Sequence, residues 1–371
     1  MVSTEARAPS ADGESRRPPV RRSLFAHAPI RREPRAAVRR LADAVESLGG
    51  DAGPAPVAAL ERRMAGLLGA DAALLFPGGT MAQQVALRVH AERRGRRGFA
   101  GHPQCNLDVW EMQGYNAVHN LWFHPVGDRH ELMTGADLAA VGEPLAAVVW
   151  ELPQRDLGGL LPDWDDLREQ VAVARAGGAA AHVDGARLFE ARLHYGRPIE
   201  EIAGLFDTVY VSLYKGLEGI GGAVLAGDGA TIAEAAVWRH RLGGAIADPW
   251  PDAVTALAGL DSHLPLLPAF RDHAIAMAAA VNADGVALAH PDPPQTSLFH
   301  VHLPAPKRAV ERAGAAMIAE RGVQLFPRVR SSPDPTRCSF EVSVADNAMD
   351  FTPDEVVGLL HELLDRAAAL R

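Results

Sequence analysis

Lys215 is the residue whose type and position most need explaining. It follows Thr208-Val209-Tyr210-Val211-Ser212-Leu213, a β-branched and aromatic run that predicts a buried strand. It then stands on a turn supplied with glycines at 216, 219, 221 and 222. An ammonium at the end of a buried strand is costly without a partner or a task. The chain writes its positive charge almost wholly as arginine and carries only two lysines, Lys215 and Lys307. Arginine keeps its proton, whereas lysine can lose one and condense with a carbonyl. Lys307, behind Pro304-Ala305-Pro306, predicts an exposed helix start and needs no such account.

Taken singly, Lys215 is read best as a snorkelling or ion-paired lysine. A second buried charge changes the balance. Asp184 closes another short apolar strand, in Ala181-His182-Val183-Asp184-Gly185-Ala186-Arg187. Two adjacent parallel strands would bring Asp184 and Lys215 to one carboxyl edge of a sheet, where open α/β folds hold their ligands. A carboxylate facing a pyridinium nitrogen and a lysine facing an aldehyde are what pyridoxal phosphate requires.

The segments His182–Ala191 and Ser212-Leu213-Tyr214-Lys215-Gly216-Leu217 resemble the threonine aldolase and aromatic amino acid β-eliminating lyase family. Phe76-Pro77-Gly78-Gly79-Thr80-Met81-Ala82-Gln83-Gln84 and Trp238-Arg239-His240-Arg241-Leu242-Gly243-Gly244 resemble two further segments of that family, in the same order. The similarity runs from about residue 40 to 265 and more faintly to the end. It implies a pyridoxal-phosphate enzyme of the aspartate aminotransferase fold (fold type I). That means a large α/β domain with a mostly parallel seven-stranded sheet flanked by helices, and a smaller C-terminal α+β domain.

The resemblance also implies roles. Lys215 would hold the cofactor as a Schiff base and act as a base in later steps, and Asp184 would keep the ring nitrogen protonated. Gly79 and Thr80 would hold the phosphate at a helix start, although on that turn alone Thr80 reads better as a simple N-cap. Tyr214 stands where the family has a phosphate-binding serine, with Ser212 as the fallback. Arg187 would meet the substrate carboxylate. Glu111 and Gln154 would face the substrate, Gln154 standing where histidine is usual. Alignment on Glu111 puts Asn106 at the ring-stacking position, where the family has histidine. An amide cannot shuttle protons as imidazole does, so His102 and His119 become candidate replacements. Two family arginines fall at Ala247 and Glu341, and Arg328 and Arg330 could restore the charge.

The expected activity is that of a lyase on a small amino acid, by retro-aldol cleavage of a β-hydroxy amino acid or by β-elimination. The three departures at Asn106, Ala247 and Glu341 also suit a specialised biosynthetic enzyme on an unusual amine or amino acid. A non-catalytic binding protein on the same fold is disfavoured, because both Asp184 and Lys215 are retained.

The elements that position these groups need a large core. With 371 residues and 48% hydrophobic content, the chain can build one and divide into two domains. The expected division is a basic disordered tail over 1–22, an N-terminal arm and helix over 23–50, the cofactor domain over 51–265 and the small domain over 266–371. A net charge of −9 without basic blocks implies no nucleic-acid partner. No apolar run is long enough for a bilayer, and two cysteines, Cys105 and Cys338, imply a reducing cytoplasm without a disulfide framework. The histidines of residues 102–124 lack ligand spacing, so no metal is expected. His300 and His302 are read as structural. Resemblance implies a homodimer or homotetramer.

Overall fold

The computed structural model describes residues 20–26, 33–48 and 56–369. Thirteen strands appear among these residues. β1 is Arg22–Ser23, β2 Ala72–Phe76, β3 Gly98–Gly101, β4 Trp122–Pro125, β5 Ala147–Glu151, β6 Ala180–Asp184, β7 Thr208–Ser212 and β8 Ala223–Gly227. Then follow β9 Leu288–His290, β10 Leu298–Leu303, β11 Val323–Gln324, β12 Arg330–Ser331 and β13 Cys338–Ser343.

Seven strands form the central sheet in the order β2-β8-β7-β6-β5-β3-β4. Five of them, from β7 to β4, run parallel, and β8 lies antiparallel between β2 and β7. Apart from the edge strand β4, the parallel strands are short and buried on both faces, as strands covered by helices should be. β6 and β7 are buried along their whole length. Register puts Glu151 of β5 beside Asp184 of β6, and Asp184 beside Tyr210 of β7. Two carboxylates therefore end neighbouring strands at the edge from which the Lys215 turn departs.

The helix Gly79–Arg94 opens directly after β2 and ends on Gly95 in the left-handed region, at φ 62°. The helix Trp250–Ser262 lies close to the Lys215 turn because it carries Gly259: a Cβ there would collide with the Leu217 carbonyl. That close approach helps hold the turn.

The small domain is a four-stranded antiparallel sheet, order β12-β13-β10-β9, with helices Leu267–Asp284, Lys307–Arg321 and Pro353–Ala369. β13 carries Glu341 opposite the buried His300 of β10. Burial holds the His300 imidazole down at about 3, with Arg330 adding to the effect, so it stays neutral as a core side chain should. Residues 1–19 of the expected tail lie outside the described residues. Its last residue does not belong to a loose tail: Arg22 sits in β1, which pairs in parallel with β11, and its guanidinium meets Glu355 at 2.6 Å. The N-terminal arm is thus tied to the small domain. Among the described residues no helix is long and apolar enough to cross a membrane.

Candidate active site

Asp184 is buried at the tip of β6, and its Oδ1 accepts a hydrogen bond of 3.1 Å from the Ala186 N–H. Burial pushes its pKa up; the Lys215 ammonium, Ala186, Gln83 and Arg187 oppose the rise. Lys215 is brought down from 10.5 to about 8, first by burial and then by the charge of Arg187, with Asp184 and Glu151 acting the other way. Its ammonium makes no hydrogen bond or ion pair among the described residues, so it is neither capped nor neutralised in place. Asp184 and Lys215 feel each other's charge at one end of the sheet, the edge to which the strand-end pattern assigns both. Ala186 and Arg187 follow Asp184 directly, whereas Gln83 and Glu151 are distant in sequence and are brought to it by the fold.

Above this floor lies the start of the helix Gly79–Arg94. Its N-cap Gly78 offers no side-chain oxygen, and the first intrahelical bond is from Ala82 N–H to the Gly78 carbonyl. The preceding helical N–H groups therefore point out of the helix end, where its dipole favours an anion. Gly79 cannot carry a side chain, because a Cβ would collide with the Tyr210 hydroxyl. Ser212 is 1% exposed and its Oγ has no hydrogen-bond partner, an orphaned polar atom at the end of β7. Tyr214 is half-buried and lines a surface depression with Pro77 and Gly219–Gly222. Thr80 is exposed, and its side chain bears on Glu111.

Asn106, Glu111 and Gln154 converge on the same place. The Asn106 amide donates to Glu111 Oε1 at 3.0 Å, and its backbone N–H donates to Glu151 Oε2 at 3.3 Å. Gln154 is buried and donates to the same Glu151 oxygen at 3.2 Å. Burial, helped by the Asp184 charge, pushes Glu111 up to about 7 and Glu151 up to about 8. Neither candidate histidine joins this network. His102 Nε2 donates to the Glu131 carbonyl at 2.8 Å while its Nδ1 accepts from Gln104 N–H at 3.1 Å, which fixes it as a loop brace. His119 packs edge-on against Trp238, with ring centroids 5.7 Å apart.

Arg187 is buried between two carboxylates, Glu190 at 3.9 Å and Glu341 at 3.6 Å. Glu341 also holds Arg155 at 2.6 Å and Arg330 at 3.6 Å, and the charges of Arg187 and Arg155 keep it ionised, at about 2, despite its burial. Arg330 in turn meets Asp156 at 2.6 Å. The sequence reading left Gln83, Glu151, Glu190 and Arg155 out of the site. Glu151 shows the same signature that exposed Asp184, a carboxylate closing an apolar strand. Gln83 gives no such signal. Ala247 is exposed in the loop after the helix Gly229–Arg241 and brings no charge. Among the described residues no group of His, Cys, Asp and Glu is placed to hold a metal ion.

Comparison with known proteins now places this geometry. The beta-eliminating lyase family model matches residues 35–305, well over half of the chain. The chain belongs to the beta-eliminating lyase family. A solved structure from Exiguobacterium sp. 255-15, described as an aromatic amino acid beta-eliminating lyase/threonine aldolase, superposes with a TM-score of 0.84 at 30% identity, covering 94% of this chain and 97% of that one. A Listeria monocytogenes structure described as an L-allo-threonine aldolase gives 0.85 at 30% identity, over 94% of this chain and 96% of that one. The low-specificity L-threonine aldolase 1 of Arabidopsis thaliana is 30% identical over 220 residues, 56% of this chain and 61% of that enzyme, less than two thirds of its length. A Sphingomonas wittichii serine palmitoyltransferase shares the fold, with a TM-score of 0.64 at 15% identity. The expected architecture of this family, a large α/β domain and a smaller C-terminal one, is the one observed.

Proposed function

We propose that this family member is a pyridoxal-phosphate-dependent lyase that cleaves a β-hydroxy amino acid to an aldehyde and glycine. The observation that carries this reading is that Asp184 and Lys215 act on each other's charge at one sheet edge, with Gln83 of the helix Gly79–Arg94 also bearing on Asp184. The residues fit the cofactor on three counts. An uncapped helix end, the orphaned Ser212 hydroxyl and the Tyr214 hydroxyl suit a phosphate. Buried Asp184 suits a protonated ring nitrogen. A lysine at about 8 is free enough of its proton near neutrality to condense with an aldehyde. When bound, the cofactor supplies an electron sink for the Cα bond that breaks.

The protein's own groups divide the remaining work. Arg187 receives the substrate carboxylate, sharing its charge with Glu190 and Glu341. Asn106 would stand against the cofactor ring and, through its bond to Glu111, ties that carboxyl to the site. Glu111, at about 7, accepts the proton of the β-hydroxyl. The Cα–Cβ bonding pair then passes to Cα, the β-carbon leaves as an aldehyde, and Lys215 delivers a proton to Cα. This gives Asn106 a positioning task and leaves the base to its neighbour, which answers the loss of the family histidine. β-Elimination from a β-substituted amino acid would use the same groups with a different bond aligned.

A spectrum and a rate test this. The purified protein should be yellow, lose that absorbance in Lys215→Ala, and release aldehyde and glycine from threonine or phenylserine. A protein that stays colourless when pyridoxal phosphate is added, or a Lys215→Ala variant that keeps the bound chromophore and full activity, defeats the reading.

A further inference from the structure

At the mouth of the site four guanidiniums share three direct carboxylate partners, Glu190, Glu341 and Asp156. The four belong to Arg155, Arg187, Arg328 and Arg330. Facing them are Glu190 and Glu341 at Arg187, Glu341 again at Arg155, and Asp156 at Arg330. Arg328 is exposed and has no carboxylate within ion-pair distance among the described residues. It is nonetheless held in place, with Cζ 4.3 Å from the centroid of the Trp110 ring. The same ring is approached by Arg155 at 5.6 Å and Arg330 at 5.9 Å. Trp110 is itself oriented by its Nε1–H, which donates to Asp156 at 2.9 Å.

The arrangement is continuous with the reacting centre. Glu341 bridges Arg187 to Arg155, Arg155 follows Gln154 in sequence, and Trp110 precedes Glu111. An indole braced by cations on several sides, with one guanidinium left over, is a platform for a planar or anionic group arriving from solvent. We propose that Trp110, Arg328, Arg155 and Arg330 form a subsite for an anionic group, carboxylate or phosphate, at the far end of the substrate side chain. The substrate class is then a β-hydroxy amino acid with an acidic side chain rather than threonine. This deepens the lyase reading and rests on it for the placement of the inner carboxylate at Arg187. It also gives Glu341 a purpose: an arginine there would add a fifth cation, whereas a glutamate keeps the inner arginines apart and fixed and leaves Arg328 as the unmatched charge.

Phenylserine, 4-carboxyphenylserine and 4-phosphonophenylserine differ only in the distal group, so aldehyde release from the three by wild type and Arg328→Gln reads the subsite directly. The expected result is a kcat/KM at least about tenfold higher for one of the two acidic substrates than for phenylserine, the size of one charge-assisted contact, with that ratio collapsing towards one in the variant. Which acidic substrate leads distinguishes carboxylate from phosphate. Equilibrium binding of terephthalate against benzoate, by calorimetry, gives a readout that needs no turnover. Terephthalate should bind at least about tenfold more tightly to wild type, and Arg328→Gln should erase the difference. Equal preference for neutral and acidic substrates, or a ratio unchanged in Arg328→Gln, overturns the subsite and leaves the lyase standing. No cleavage of any substrate while terephthalate still binds through Arg328 overturns the lyase and leaves the subsite.

Discussion

Replacing Glu341 with glutamine keeps the shape of the side chain and removes the charge that three arginines share. The size of the effect follows from its surroundings. Glu341 is 6% exposed, touches Arg155 at 2.6 Å, and is held at about 2 against an ordinary 4.5. A difference of that size is worth ~3 kcal/mol when the group is ionised. Removal of one partner from a buried ion pair costs about 3–5 kcal/mol by mutational precedent, which agrees. Because its pKa falls on folding, this contribution is whole above about pH 4.5 and is lost as the pH drops towards 2. Urea denaturation at pH 7 should therefore place Glu341→Gln about 3 kcal/mol below wild type, and the gap should narrow as the pH falls below 4.5. His90 and His182 complicate the acid limb, since burial holds both at about 3 and each costs stability as the pH falls below its ordinary 6.5. That loss is common to both proteins and cancels in their difference. A variant within about 1 kcal/mol of wild type at pH 7, or a gap independent of pH, would refute the claim that Glu341 is the ionised hub of this cluster.

Two further changes probe the groups nearer the chemistry. Gly79→Ala drives a Cβ into the Tyr210 hydroxyl, so the helix start must shift; the variant should lose bound cofactor on dialysis, with absorbance as the readout, and unimpaired retention would show that this turn does not hold the phosphate. Activity should rise from pH 6 to pH 8 as Glu111 loses its proton, at about 7. Glu111→Gln should lower kcat by about 100-fold or more, as loss of a general base does, and abolish the step near 7; a variant that keeps that step assigns the base elsewhere.

What could be seen in the sequence was what strand physics writes into a few consecutive residues. Asp184, Lys215 and Glu151 each end an apolar run, and a charge in that position stands out without any alignment. Gly79 becomes visible only beside Asp184 and Lys215, since that turn alone reads as an ordinary glycine turn, and its collision with Tyr210 is not visible at all. The short strands Gly98–Gly101 and Trp122–Pro125 leave little pattern, and the latter is largely exposed at the sheet edge. Long-range pairing is what sequence could not supply. Nothing in Cys338-Ser339-Phe340-Glu341 says that its carboxylate will meet Arg155, some 186 positions away, and Arg187 at once.

That one contact changes how the departures should be read. Glu341, where the resemblance implies a family arginine, looks in one dimension like the loss of a carboxylate ligand. In the fold it is an anion inserted among cations that remain, so carboxylate recognition is rearranged rather than discarded. Arg155 and Arg330 are drawn onto Glu341 and Asp156, and Arg328 is left over on the face of Trp110. A substrate lacking any carboxylate, the simplest inference from a missing arginine, would leave the Arg328 guanidinium with no direct carboxylate partner among the described residues. Under the proposed subsite, the charge that a reader of the sequence would count as deleted stands instead at Arg328 over Trp110, and it is there that substrate choice should be sought.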